Sequence, residues 1–308
     1  RQDDAVKALL RAQLDVMEQN ETGAREATDP EFLHEFRVAV RRTRVALSRM
    51  TGLFPERTTD RFKREFRWLG SVTGPARDVD VYLLELPSYK ASLAEDARAH
   101  LDPLRAYLEQ RGELAYADLD RALSTARYRR LLDAWRTFLQ RPAPVRTRLP
   151  AAAQPVGLYA AARIWHMHRR VLKRGAAIQA DTPDEAVHDH RLDCKKLRYL
   201  MEIFRSLFDA STKRTQIKAL KRLQDVLGEF NDLAVQQASL METAEEMSQA
   251  GLASLETVVT MGRLVEVLAA RQRDARDRFH GRFDEFSAAP NAKRARRLFR
   301  PPTPGARR

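Results

Sequence analysis

Cysteine is almost absent. Cys194 is the only one in 308 residues, so no internal disulfide can form, as expected of a chain held in a reducing, cytoplasmic compartment. Glycine and proline are sparse, at 12 and 14 residues, which excludes a disordered low-complexity chain. No apolar run approaches the length of a membrane span and no secretory signal is visible, so no membrane partner is expected. The chain begins with Arg1 and not Met, and further sequence is expected upstream. Period-two alternation is missing throughout, which argues against strands. Aromatics make up only 7%, few of them interleave the basic stretches, and no helix-turn-helix pattern stands out. A nucleic-acid reader is therefore the weaker reading of the charge. There is no P-loop, nucleophile elbow, HExxH motif or GxGxxG after a strand, so no motif carries catalysis and no cofactor is implied. Lysine is scarce too: only ten of the 55 basic residues.

What is present is arginine. The formal net charge is +13 and the pI near 10.2, which calls for an anionic partner. Arginine forks match phosphate oxygens bidentately and stay charged, although Arg-rich codon usage gives the same bias. Apolar residues make up 44%, enough for a packed core.

The arginines are not scattered. The stretch HEFRVAVRRTRVALSR, from His34 to Arg49, is answered by HDHRLDCKKLRYLMEIFR, from His188 to Arg205. At a constant offset of 154, His34 falls on His188, Arg37 on Arg191, Arg41 and Arg42 on Lys195 and Lys196, and Arg44 on Arg198. The register continues: Leu69 on Leu223, Val72 on Val226, Gly74 on Gly228 and Asp78 on Asp232. A spacing held this long is read as an internal duplication.

At about 100° per residue, His34, Arg37, Arg41 and Arg44 form one stripe of a helix. Phe36, Ala39, Val40, Leu47 and Met50 take the other side. His188, Arg191, Lys195 and Arg198 repeat the stripe, with Cys194, Leu197, Met201 and Phe204 as its buried face. An amphipathic helix accounts for the apolar side. It does not account for five arginines offset only by Glu35 between His34 and Arg49, because like charges stacked one turn apart repel. Something anionic is expected to neutralise the stripe.

The patterns H-x-x-R-V-x-x-R-R-x-R and H-x-x-R-L-x-x-K-K-L-R-Y-x-x-E resemble the two signature helices of the CHAD family, the conserved-histidine α-helical domain. The downstream Leu69-Gly70 with Gly74 and Asp78, and Leu227-Gly228 with Asp232, fit the same resemblance, which covers about residues 3 to 288. The second copy is the closer match; in the first, Val45 and Ser48 stand where Tyr199 and Glu202 stand. The resemblance implies an all-α, pseudo-two-fold domain with a basic central cleft or channel. It also implies non-catalytic binding of inorganic polyphosphate, with association to polyphosphate granules or to an attached enzyme. The acidic ExExK strand of the CYTH triphosphatases, which CHAD domains often follow, is absent from this sequence.

Taken in order, the chain reads as two helical bundles, about residues 3–140 and 157–288, joined by a proline-rich linker at about 140–156. The basic, proline-rich residues 289–308 are expected to be disordered. Within the bundles, Asp29-Pro30 should cap the first signature helix and Thr182-Pro183-Asp184-Glu185 the second. Breaks are expected at Gly74-Pro75 and at Gly228. Asp78 and Asp232 should cap the helices that follow, the first of them ending near Leu86-Pro87. The next two helices should span about Ala91–Gln110 and Leu114–Leu139.

The polyphosphate-binding set drawn from these stripes is His34, Arg37, Arg41, Arg44, His188, Arg191, Lys195 and Arg198. Arg42, Lys196, Lys63, Arg67, Lys218, Lys221 and Arg222 support it. A polyphosphate has closely spaced charges and no bases to read, so it needs a track of cations; residues one helical turn apart stand about 5.4 Å apart. The two histidines are read as phosphate hydrogen-bond donors and Glu202 as a partner orienting Arg198. No metal ligands are assigned. His166/His168 and His188/His190 are two apart, on opposite helix faces, and His190 with Cys194 aligns with core residues Phe36 and Val40.

Overall fold

The computed structural model describes residues 2–50, 52–142, 155–204, 207–208 and 210–300. Among them every regular element is helical: α1 Gln2–Arg25, α2 Pro30–Arg49, α3 Glu56–Val72, α4 Gly74–Ala91, a short 3-10 turn Glu95–Leu101, α5 Asp102–Leu123, α6 Ala126–Gln140, α7 Val156–Gly175, α8 Asp184–Ile203, α9 Ala210–Gln249, α10 Leu255–Ser287 and α11 Ala289–Phe299. No helix among them is long and apolar enough to cross a membrane. Most of the linker, 143–154, and the last residues, 301–308, lie outside the described residues.

Two compact units divide the chain, Arg1–Ala153 with Met241–Leu264, and Gln154–Leu240 with Val265–Arg308. The segment Met241–Leu264 thus joins the first unit, where the sequence had suggested a second half running unbroken to 288. Polar contacts hold it there: Tyr107 and Arg111 of α5 both donate to Glu246, at 2.7 and 2.8 Å.

In the first unit α1 lies along α2, α2 along α3, and α4 along α5. Its core gathers on Trp135 of α6, which meets Phe62 at 4.6 Å and Phe66 at 5.1 Å, edge to face. Glycine is required where α1 passes the start of α2, since a Cβ on Gly23 would sit 2.4 Å from the Phe32 ring. Asp29 caps α2, accepting from the Glu31 backbone at 2.8 Å, as its sequence suggests.

In the second unit α7 packs on α8 and α11 on α7. Cys194, Leu197, Met201 and Phe204 all face inward, and His190 and His168 lie among Phe279, Phe283 and Phe286. The residues from 289 to 299, expected to be disordered, instead form α11. Ala295 and Phe299 are buried there, with Phe299 against Phe208 at 5.0 Å.

The helix bounds repeat at the sequence offset. α2 and α8 are both 20 residues long and start 154 apart; α3 and α9 also start 154 apart, at Glu56 and Ala210. They then diverge. The first unit breaks at Thr73 between α3 and α4, whereas α9 runs through Gly228 without interruption. Pro75 enters the first turn of α4, and its match is Glu229, which has a backbone N–H to continue the ladder. Asp78 and Asp232 are therefore interior helix residues and cap nothing. Three further boundaries differ. α4 continues through Pro87; the break after α5 falls at Ser124-Thr125, where the Thr125 hydroxyl accepts from the Tyr128 backbone; and α8 begins without a side-chain cap, because Thr182 instead accepts from the Gln179 backbone at 2.8 Å.

Candidate functional site

The first basic stripe is built on α2 where it crosses α3. Arg37 is partly buried and donates through Nη1 to Thr73 Oγ1 at 2.8 Å and to the Gly70 carbonyl at 3.2 Å. Thr73 in turn donates to the Leu69 carbonyl at 2.9 Å. Arg44 lies across the same glycine: a Cβ on Gly70 would stand 2.8 Å from Arg44 Nη1. Arg37 and Arg44 thus both approach α3 at Gly70, whereas a Cβ on Gly228, the glycine of the second Leu-Gly pair, would meet nothing within 4 Å among the described residues. Burial pushes Arg37 below its ordinary pKa; Asp78 opposes this, and Arg41, Arg77 and Arg44 add to it. Burial acts the same way on Arg44, and Arg67 of α3 adds to it. Four of the assigned residues, Arg37, Arg41, Arg44 and Arg67, thus form a cationic cluster whose members raise one another's electrostatic cost. Lys63 pairs with Asp60 at 3.2 Å, one turn back. Arg42 is half-buried and departs from the stripe by about 100° of helix rotation.

The second stripe, on α8, is more fully partnered. Arg191 is buried and donates to Asp232 at 2.8 Å. Asn231 donates to the same carboxylate oxygen at 3.2 Å and meets the exposed His188 through its own oxygen. The two aspartates read as caps are thus the acidic neighbours of the signature arginines, each 41 residues after its arginine. That shared spacing was the available signal for their role. Arg198 lies 3.5 Å from Glu202, the expected partner, and 5.4 Å over the Tyr199 ring. Lys195 is half-buried on the stripe. Lys196 is drawn away from it by Asp193, at 3.2 Å. Asp193 is fully buried and also takes Arg170 at 2.7 Å and Arg174 at 2.8 Å from α7, a hub that apolar periodicity did not reveal. Lys218, Lys221 and Arg222 are exposed on α9, with Arg222 3.8 Å from Glu285.

The histidine–cysteine pair belongs to the core. His190 Nε2 and Cys194 Sγ stand 3.6 Å apart; burial holds the histidine down to about 4 and pushes the thiol up. Glu31, His34 and Glu35 bring ligand-type atoms within 4.8 Å of one another. Their spacing at i, i+3 and i+4 in an acidic first turn accounts for that proximity.

A family model described as "CHAD domain" matches residues 8–241. Among solved structures, the CHAD domain from the plant Ricinus communis superposes with a TM-score of 0.75 at 28% identity, covering 92% of this chain and 91% of that one. PptA from Streptomyces chartreusis superposes at 0.70 with 19% identity, over 92% and 99%, a likeness of fold. Comparison with curated proteins gives no match. The family match spans both stripes and the glycine and aspartate positions beneath them, and on that ground the chain belongs to the CHAD domain family.

Proposed function

We propose that this CHAD domain binds inorganic polyphosphate, or a closely similar phosphate polyanion, and performs no chemistry on it. The observation that carries the reading is the α2 cluster. Arg37 and Arg44 are held part-buried beside other arginines, where their charge is costly, and a chain of phosphates would relieve that cost along the whole stripe. The second stripe, recurring at an offset of 154, is read as the other product of an internal duplication and as part of the same binding function. The sequence expectation of one cleft lined by both stripes becomes a claim about stoichiometry: one polyphosphate chain per molecule, weakened by reversal in either stripe. A cytoplasmic role at polyphosphate granules, or in carrying an attached enzyme to them, is the corresponding biological proposal.

The test is titration of the full chain with long-chain polyphosphate and with single- and double-stranded nucleic acid, at matched phosphate and salt. Polyphosphate should bind at least tenfold tighter, and Arg41→Glu with Lys195→Glu should lower its affinity at least tenfold at unchanged helical content. Nucleic acid binding as tightly would favour a nucleic-acid-binding protein. Shortening of the chain in added Mg²⁺ or Mn²⁺ would overturn the non-catalytic reading.

A further inference from the structure

An uncharged residue of the second unit decides how His188 can meet a phosphate. The direction of each hydrogen bond follows from one end of a short chain of contacts. The Asp232 carboxylate, paired with the buried Arg191 at 2.8 Å, can only accept. Asn231 must therefore turn its NH2 group toward it, and does so at 3.2 Å. The flipped amide would set its oxygen against that carboxylate. The Asn231 oxygen is left facing His188 Nδ1, and an amide oxygen accepts, so Nδ1 carries the ring proton. His188 is exposed, and its Nε2 makes no hydrogen bond among the described residues. In the neutral ring that nitrogen is a bare acceptor. A phosphate oxygen is an acceptor as well, so neutral His188 has no proton to offer it, whereas the imidazolium has an Nε2–H.

The first stripe is built differently. At the offset of 154, Asn231 falls on Arg77, which has no acceptor and donates to the Pro30 carbonyl at 3.4 Å. The charges around His188 largely answer one another. Asp184, one turn back on α8, is held by Arg276 of α10 at 2.6 Å, and Asp232 of α9 is held by Arg191. Glu185, three residues back, and Lys195, two turns on, are the remaining charges at helix spacing and have opposite signs. We infer that Asn231 is a positioning residue that makes His188 a phosphate ligand only as an imidazolium, so that a polyphosphate chain on the α8 stripe binds together with one proton. For its ligand this rests on the polyphosphate reading; the tautomer itself does not.

Nitrogen NMR of the histidine rings in the full chain at pH 8.5, without ligand, reads the tautomer directly, with His188 assigned by its loss in His188→Ala. The parent should carry the proton on Nδ1, and Asn231→Leu should carry it on Nε2, which an imidazole without partners prefers. Titration with long-chain polyphosphate at pH 8.5 and pH 6.0 follows, with helical content checked at both. The parent should bind less than twofold tighter than His188→Ala at pH 8.5 and at least fivefold tighter at pH 6.0, because the proton must be taken up first at the higher pH. Asn231→Leu should bind at least twofold tighter than His188→Ala already at pH 8.5, since its neutral ring can donate. A parent His188 protonated on Nε2 at pH 8.5 would overturn the inference. So would a loss of the same size at both pH values in His188→Ala, or no loss at pH 6.0. Failure of the polyphosphate proposal reads out separately, as polyphosphate binding that survives Arg41→Glu with Lys195→Glu.

Discussion

Two histidines in the second unit make its stability depend on pH in a definite direction. His168 and His190 are buried, and burial holds each down to about 4 from an ordinary value of 6.5. A group with a depressed folded pKa binds its proton more readily in the unfolded chain, so stability is full above 6.5 and falls as pH drops toward 4. From the linkage of about 1.4 kcal/mol per pKa unit, each histidine should cost roughly 2 kcal/mol by pH 5. Asp193 does not contribute in that window. Burial raises its pKa, but bonds from Arg170 and Lys196 outweigh that and leave it lowered, so its stabilisation is lost only as pH falls below the ordinary carboxylate range. Urea midpoints at pH 7.5 and pH 5 check this, and His168→Phe should remove about half of the difference. Midpoints that do not move would mean the two rings find water or partners on protonation.

At the scale of elements, what the sequence made legible was periodicity, and what it hid was the cause of helix breaks. The apolar faces of α2 and α8 lie buried as read from their spacing, and the two helices start 154 residues apart, the offset at which the two sequence stretches match. The sequence reading put a break at Gly74-Pro75 and another at the matching Gly228. Glycine only weakens a helix, whereas proline removes a donor and clashes with the preceding turn. α9 has Glu229 where the first stretch has Pro75, which is why the chain breaks between α3 and α4 but continues as a single 40-residue helix in α9. The expected helices Ala91–Gln110 and Leu114–Leu139 left a gap that α5 in fact spans, with Gly112 buried against Val79. Residue pairs across elements were beyond periodicity altogether: Arg191 with Asp232, and Asp193 with α7, depend on how helices meet. Glu229→Pro should therefore split α9 and cost about 3 kcal/mol or more, read by urea unfolding. Glu229→Ala should cost under about 1 kcal/mol, since it removes only an exposed pair with Arg278.

For the whole molecule, charge sets the character of binding. With a net charge of +13, association with any polyanion has a non-specific background, so affinity at one salt concentration says little about the stripes. The salt slope says more. Each phosphate neutralised releases counterions, and for a single-stranded polyanion log K falls with log salt at about −0.7 per contact. If the six principal cations, Arg37, Arg41, Arg44, Arg191, Lys195 and Arg198, each meet a phosphate, the slope should be about −4. Replacing Arg41 and Lys195 with Gln removes two of those contacts and should bring it to about −3, with the affinity loss shrinking as salt rises. A diffuse surface effect behaves differently: two neutralised positions among 55 basic residues would leave the slope almost where it was. Measured between 50 and 300 mM salt, the parent and variant slopes therefore distinguish a built track from general attraction, and parallel lines would dissolve the track.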